Sequence, residues 1–289
     1  MKRAVCLTNG ERAENHAGMQ MLGDGLAEKG YSLNEMREIA KKFDAMGGVS
    51  EWIDLNNALE VTDVEATEAA VLLMKNGANV LFKNRIRANL EGQEDPLKKK
   101  FIREFSKYNA KKLFEEQFTF EWDKKFWNSR RKVVQNKHAR YNVCYGEVAQ
   151  NADFEKGKGS IIAYSSLPIM EMWRKELLKL CGEDESSFQA EGNLYYDMEK
   201  TGIGFHGDGE RKKVVAGNFC DKDVVREINW IWYHKGERIG ERTRVFLENG
   251  DMYIMSEKAA GTDWKKRIIP TLRHAAAAEG TKAAKRFLA

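Results

Sequence analysis

From about residue 129 onward the chain alternates short apolar runs with Gly and Asn: Ser160 to Tyr164, Ile203 to His206, Lys213 to Phe219, Asn229 to Tyr233, Thr243 to Leu247, Asp251 to Met255 and Ile268 to Leu272. Such runs are too short to bury a helix face but suit strands. Their even spacing predicts a β-sandwich or barrel. One helix is expected among them, from about Leu167 to Leu180, with Ile169, Met170, Trp173, Leu177 and Leu180 on its buried side. The tail from Ala275 to Ala289 favours helix by its alanine content.

The first part of the chain has a different texture. A short strand is expected at Ala4 to Leu7, and the capping box Ser32-Leu-Asn-Glu35 opens a helix to about Phe43. A second capping box, Thr62-Asp-Val-Glu65, predicts a helix through Met74, ended by Asn76-Gly77, with a strand at Val80 to Phe82. Residues 84 to about 128 carry Phe101, Phe105, Tyr108 and Leu113 at helical spacing among Lys and Glu, which predicts one or two amphipathic connecting helices. The organisation expected is therefore an accessory α/β or helical domain over residues 1–128, then a β-rich domain over 129–289.

Charged residues make up 32% of the 289 and hydrophobic ones 42%, with three prolines, a balance that suits a folded chain rather than a disordered one. Cys6, Cys144, Cys181 and Cys220 form no CxxC pair or framework spacing, which excludes zinc-finger and disulfide-scaffold readings and suits a reducing, cytoplasmic or nuclear compartment. The N-terminus is too polar for a signal peptide and no apolar run reaches bilayer length, so neither secretion nor membrane insertion is expected. A net charge of +4 is mild, so any nucleic-acid reading rests on where basic residues cluster.

His206-Gly-Asp208 closes one of the apolar runs, with Asn193 and Tyr195 upstream and His274 downstream. Two imidazoles and one carboxylate can hold Fe(II) on one face of an octahedron and leave the opposite positions open. A surface His–Asp pair is the plainer alternative. The surroundings favour the metal, because glycines on either side of Asp208 let the backbone fold so that both side chains reach one ion.

Read in order, Asn193-Leu-Tyr195, His206-Gly-Asp208-Gly-Glu210 and Asn249-Gly250-Asp251-Met-Tyr-Ile-Met255 resemble the AlkB-like iron(II) and 2-oxoglutarate dioxygenases, and the resemblance runs from about Lys132 to the C-terminus. The segment Gln135 to Glu147 looks like that family's substrate side. The first 120 or so residues lie outside it and suit an accessory domain of a viral branch. The resemblance implies an α+β chain whose catalytic domain is a double-stranded β-helix, or jelly roll, with Fe(II), 2-oxoglutarate and O2 as its reactants. Asn193 and Tyr195 would face the cosubstrate, and Lys137, Arg140, Tyr141, Tyr145, Glu210 and Arg211 the substrate.

Where the family carries its third ligand the chain reads Gly261-Thr-Asp263-Trp264-Lys265-Lys266, without histidine. His274 is therefore expected as that ligand, and His234 as exposed. The carboxylate anchor stays open between Arg267 and Arg273, which match the spacing of the family's late arginines, and Lys282, Lys285 or Arg286 in the tail. Three basic clusters, Arg130-Arg131-Lys132 with Lys137 and Arg140, Arg211-Lys212-Lys213, and Lys265-Lys266-Arg267, accompany Trp122, Trp127, Tyr141 and Tyr145. Cations beside aromatic rings are a recipe for gripping nucleic acid, although each cluster also suits a solvated loop. The function implied is hydroxylation or oxidative demethylation of alkylated bases, as in DNA repair, by a monomer. The alternatives are a nucleic-acid-binding protein with a degenerate oxygenase fold, and a protein or small-molecule hydroxylase on the same fold.

Overall fold

The computed structural model describes residues 1–59, 64–90 and 95–289. In chain order it lays down β1 (Ala4–Gly10), the short ladder of β2 (Ala13–Glu14) and β3 (Met21–Leu22), α1 (Leu33–Ala45), β4 (Val49–Asp54), β5 (Ala70–Lys75), α2 (Gly77–Leu90), α3 (Asp95–Phe105), α4 (Ala110–Glu116) and the hairpin of β6 (Lys125–Asn128) and β7 (Val133–Asn136). There follow β8 (Tyr141–Gly146), β9 (Ile161–Ala163), α5 (Pro168–Cys181), β10 (Gln189–Tyr195), β11 (Ile203–His206), β12 (Val214–Cys220), β13 (Arg226–His234) and β14 (Glu237–Leu247). The chain closes with β15 (Met252–Met255), α6 (Glu257–Ala260), β16 (Thr271–Ala278) and α7 (Lys282–Phe287).

Two sheets organise these elements. The larger runs β4-β5-β15-β12-β1-β10-β8-β9 and the smaller β11-β16-β13-β14. Apart from the parallel β8–β9 pair, the named strands of both sheets pair antiparallel. Mixed α and β structure around a large, mostly antiparallel sheet is thus established.

The strands β1, β5, β12 and β15 of the large sheet are buried on both faces because both faces are covered. Val5 and Leu7 of β1, Leu72 and Met74 of β5 and Ile254 of β15 pack on a helical layer through Met36, Phe43, Phe82, Leu113, Trp173 and Leu177. The intervening residues Ala4, Cys6, Val71, Leu73, Tyr253 and Met255 point the other way, onto Ile228, Trp230, Trp232, Leu272 and Ala276 of the small sheet. That alternation follows from the two-residue period of a strand. Full burial of each large apolar side chain contributes about 1.5–3 kcal/mol.

Several expectations need correction. β1 is hydrogen-bonded to β10 and β12, and β5 to β15 with β4 beyond it at the edge, so residues 1–128 do not form a separate accessory layer before residue 129. The helix expected through Met74 is instead the buried strand β5, and Val80 to Phe82 lies in α2 rather than in a strand; Thr62 and Asp63 lie outside the described residues. Pairing of β5 with neighbours on both sides overrides the helix propensity of Ala and Leu. Ala275 to Ala278 likewise extend β16, with Ala275 and Ala277 against α7 and Ala276 and Ala278 between the sheets. All four alanines are buried. No helix among the described residues is long and apolar enough to cross a membrane.

Candidate metal centre

β11 runs along the edge of the small sheet against β16, and its last residue, His206, lies directly opposite His274. Their ring centres are 4.4 Å apart. Two residues on, the amide of Asp208 donates to the Ala260 carbonyl at 2.9 Å, which fixes the backbone that carries the carboxylate. His206 Nε2 lies 3.6 Å and His274 Nε2 3.5 Å from the same oxygen, Asp208 Oδ1. One ligand atom from each of the three residues lies within 4.8 Å of the others.

These separations can be tested against a metal. Two ligand atoms about 2.1 Å from one ion and roughly at right angles, or somewhat wider, sit about 3.0–3.5 Å apart. The two imidazole–carboxylate separations lie at or just above the upper end of that range, so a small inward shift of the rings would bring the three groups to one ion. The ring of His206 is also oriented for it, because Nδ1 contacts the Gly204 carbonyl oxygen at 2.8 Å and leaves Nε2 as the free lone pair. His274 Nδ1 is buried without a hydrogen-bond partner. The donor set of two nitrogens and one oxygen fits ferrous iron.

Burial pushes the His206 imidazole down to about 4, with the neighbouring His274 adding to the effect. Burial alone would raise the Asp208 carboxyl, but His274, Arg211 and His206 hold it well below the usual carboxylate range. Near neutrality His206 is therefore uncharged and Asp208 ionised, the forms in which each could bind a metal. Because His206 is neutral above its folded value, it contributes no proton release on metal binding above about pH 5. NMR titration of the metal-free protein should show its ring protonating near 4, rather than near 6.5; a ring charged at pH 6 would contradict the burial described here.

Gly207 is required by close approach. A Cβ there would lie 2.0 Å from the Gly261 carbonyl oxygen and 2.7 Å from Trp264 Cβ, whereas a Cβ on Gly209 meets nothing within 4 Å. Gly207→Ala should therefore destabilise the fold by about 1–3 kcal/mol and weaken metal binding, because it pushes backbone against backbone. Gly209→Ala should be neutral in both respects. Thermal melts and metal titrations of the pair check this.

The triad opens into a cavity of about 460 Å³ between the sheets, lined also by Cys6, Thr8, Glu14, His16, Arg140, Glu191, Asn193, Tyr195, Glu210, Arg211, Arg226, Tyr253, Trp264 and Lys265. Its two buried arginines are held in opposite ways. Arg211, 1% exposed, meets Glu191 and Glu210 at 2.8 Å each and Asp208 at 4.0 Å. Arg226, also 1% exposed, has no ion pair among the described residues; its Nε donates to Asn218 Oδ1 at 2.7 Å, its guanidinium lies 5.4 Å from the Tyr195 ring centre, and Nη2 has no partner. Burial pushes the Glu14 carboxyl up to about 7, and the charges of Glu210 and Glu191 add to that.

Of the residues singled out from sequence, Asn193, Tyr195, Arg140, Glu210 and Arg211 share this cavity with the triad. Asn193 accepts from Arg140 Nε at 2.6 Å and from Asn142, and donates to Glu191 at 3.0 Å. Lys137 is buried with its ammonium on Asn15 Oδ1 at 2.7 Å; it lines a neighbouring cavity of about 670 Å³ that also takes in Arg140 and Arg286. Tyr141 stacks on Tyr196 at 4.2 Å. Tyr145 needs correction: it is fully buried under the helices and donates to Gln117 Oε1 at 2.7 Å, away from any substrate position. His234, at the end of β13, is half-buried.

The expected carboxylate anchors also fall outside the metal cavity. Arg273 follows Leu272 and precedes His274 on β16, so with His274 facing inward its own side chain faces outward, over Tyr233 at 3.9 Å. Arg267 is exposed and donates to the Lys235 carbonyl at 2.9 Å, and Lys282, Lys285 and Arg286 are exposed on α7. Among the basic clusters, Arg211 and Lys213 are engaged by carboxylates, the latter by Glu183 at 2.7 Å. Arg226, Tyr253, Glu191 and His16 were not found by sequence reasoning. The available signal was Arg226 itself, a charge opening the apolar run Ile228 to Tyr233.

No family model matches the chain. It is 35% identical over 276 residues, 95% of its own length and 96% of the relative's, to a protein of Acanthamoeba polyphaga mimivirus described as uncharacterized protein R156. Likeness of that extent runs through both sheets and the triad-bearing strands rather than through one segment. The chain belongs to the family of this mimivirus protein.

Proposed function

We propose that the protein is an Fe(II)- and 2-oxoglutarate-dependent dioxygenase that oxidises an alkylated base in nucleic acid. The observation that carries this reading is the convergence of His206, His274 and Asp208 on one point at the wall of a cavity large enough for a keto acid and part of a substrate. Topology supports it as well. From β10 to β13 successive strands alternate between the large and the small sheet, then β14 stays in the small one, β15 returns to the large and β16 to the small. That alternation supports a double-stranded β-helix, in which β1 would take the remaining place between β10 and β12.

Ferrous iron bound with a 2-oxo acid supplies oxidation of a substrate C–H bond by dioxygen, and on an N-methyl group the product is the free base and formaldehyde. The chain's own residues do the rest. His206, His274 and Asp208 would hold the ion from one side, leaving the cavity side open. Asp208 acts as a ligand, since its depressed carboxyl is a poor proton acceptor. The walls of Tyr195, Tyr253, Ile228 and Trp264 exclude water from the reacting atoms.

Support for an anionic substrate comes from the adjoining cavity, which is lined by Lys125, Lys137, His138, Arg140 and Arg286 and by no carboxylate. His16 and Arg140 border both cavities, and His16 stacks on Phe126 at 3.7 Å, a flat surface suited to a base. The test is succinate formation by the purified chain with Fe(II), 2-oxoglutarate and O2, with and without N-methylated oligonucleotides. Turnover stimulated by the methylated strand is expected. Absence of succinate under every condition would sink the enzyme, and turnover indifferent to nucleic acid would move the substrate to a protein or small molecule.

A further inference from the structure

Four cations line the metal cavity: Arg140, Arg211, Arg226 and Lys265. Arg140 is engaged by Asn193, Arg211 is ion-paired through Nη2 with Glu191 and Glu210, and Lys265 is exposed. Arg226 alone combines near-complete burial with the lack of a carboxylate partner among the described residues. A buried charge without a counterion is costly, and such groups persist where a ligand supplies the missing partner. Arg226 is also held ready. Asn218 takes its Nε, and the Tyr195 ring lies against the guanidinium, so the terminal nitrogens keep a fixed direction.

The course of the strands explains why the cation stands here. The strand between β10 and β12 is β1, whose residues Ala4-Val-Cys-Leu-Thr-Asn-Gly10 include no cation. Cys6 and Thr8 of β1 face the cavity without charge, and the facing strand β13 begins with Arg226. Resting on the dioxygenase reading above, we propose that Arg226, positioned by Asn218, is the anchor for the far carboxylate of a dicarboxylic 2-oxo acid whose keto end meets the His206, Asp208 and His274 centre.

The experiment uses the full chain, made anaerobic and loaded with Mn(II) in place of iron. Mn(II) binding is read by electron paramagnetic resonance, and the affinities of 2-oxoglutarate and 2-oxobutyrate, which lacks the far carboxylate, by calorimetry. The parent should prefer 2-oxoglutarate strongly. Arg226→Met should bind Mn(II) like the parent but lose about 30-fold or more in 2-oxoglutarate affinity, the cost of removing one partner of a buried charge pair, with 2-oxobutyrate unaffected. Arg226→Lys should retain part of the preference.

Equal affinity of the parent for the two acids overturns the anchor, and that result does not depend on any variant folding. Undiminished 2-oxoglutarate binding by Arg226→Met overturns it too, while intact Mn(II) binding leaves the metal centre standing. Failure of the parent to bind Mn(II) is the separate signature by which the dioxygenase reading fails, and the anchor with it.

Discussion

Arg211→Met should destabilise the metal-free protein by about 3–5 kcal/mol at neutral pH, because it strips the counterion from buried carboxylates without removing them. Glu191 and Glu210 each meet the guanidinium at 2.8 Å, and Asp208 stands 4.0 Å away. Without it, like charges face one another across a water-poor space. Burial already pushes the Glu210 carboxyl up, so the folded protein takes a proton there more readily than the unfolded chain does. The sign follows: lowering the pH relieves the repulsion in the folded state first, and the deficit of the variant should shrink between pH 7.5 and 5. Urea unfolding at the two values checks it. A constant deficit would mean that lost packing, rather than unpaired charge, is what the substitution costs.

If the proposed centre binds metal, His274→Ala should reduce divalent-metal affinity by more than the roughly 10–100-fold that loss of an outer-sphere partner costs, since it would remove a directly coordinating nitrogen. The fold itself should survive, because β16 keeps its pairing with β11 and β13 through its backbone. Arg273→Ala, one residue away on the same strand, should leave metal affinity unchanged, as its side chain lies on the opposite face over Tyr233. Titration with Mn(II) or Co(II) separates the two. Equal loss in both variants, or in neither, would mean that the imidazole of His274 is not a ligand.

Much of the β structure was legible because each run carries its own period. β11 was expected over Ile203 to His206 and is found there, and α5 at Pro168–Cys181 matches its expected span within a residue at each end. The Ser32 capping box forms, with the Ser32 amide donating to the Glu35 carboxylate at 2.8 Å. Neighbours far away in sequence decided the rest. Nothing local in Ala70 to Lys75 announces a strand, since its Ala and Leu suit a helix equally and its two ladders come from β4 and β15. The alanine strand of β16 was hidden for the same reason: packing on both faces, not propensity, selects its small side chains.

At the centre itself, His206 and Asp208 were readable from their two-residue spacing and flanking glycines, while His274 depended on elimination among the histidines. Arg226 showed in the sequence only as a charge opening an apolar run, which does not say what the charge is for. Its significance lies in what does not touch it, and a sequence records no unpaired nitrogen. Arg267 and Arg273 had the more suggestive spacing, but spacing along a strand also dictates which face a residue occupies, and on β16 that rule turns Arg273 outward.

The seat of β1 constrains how the protein is born. Gly10 and Ala4 pair with Gln189 and Tyr195 on one side, and Ala4 with Cys220 on the other, so β1, once made, must wait for strands far later in the chain before either flank is closed. Through that interval an apolar strand with two bare edges is available to wrong neighbours, a hazard that favours slow, long-range assembly and a sheltering chaperone. The same strand then lies at the middle of the large sheet, so that closing it joins the two halves of the chain in a single late event.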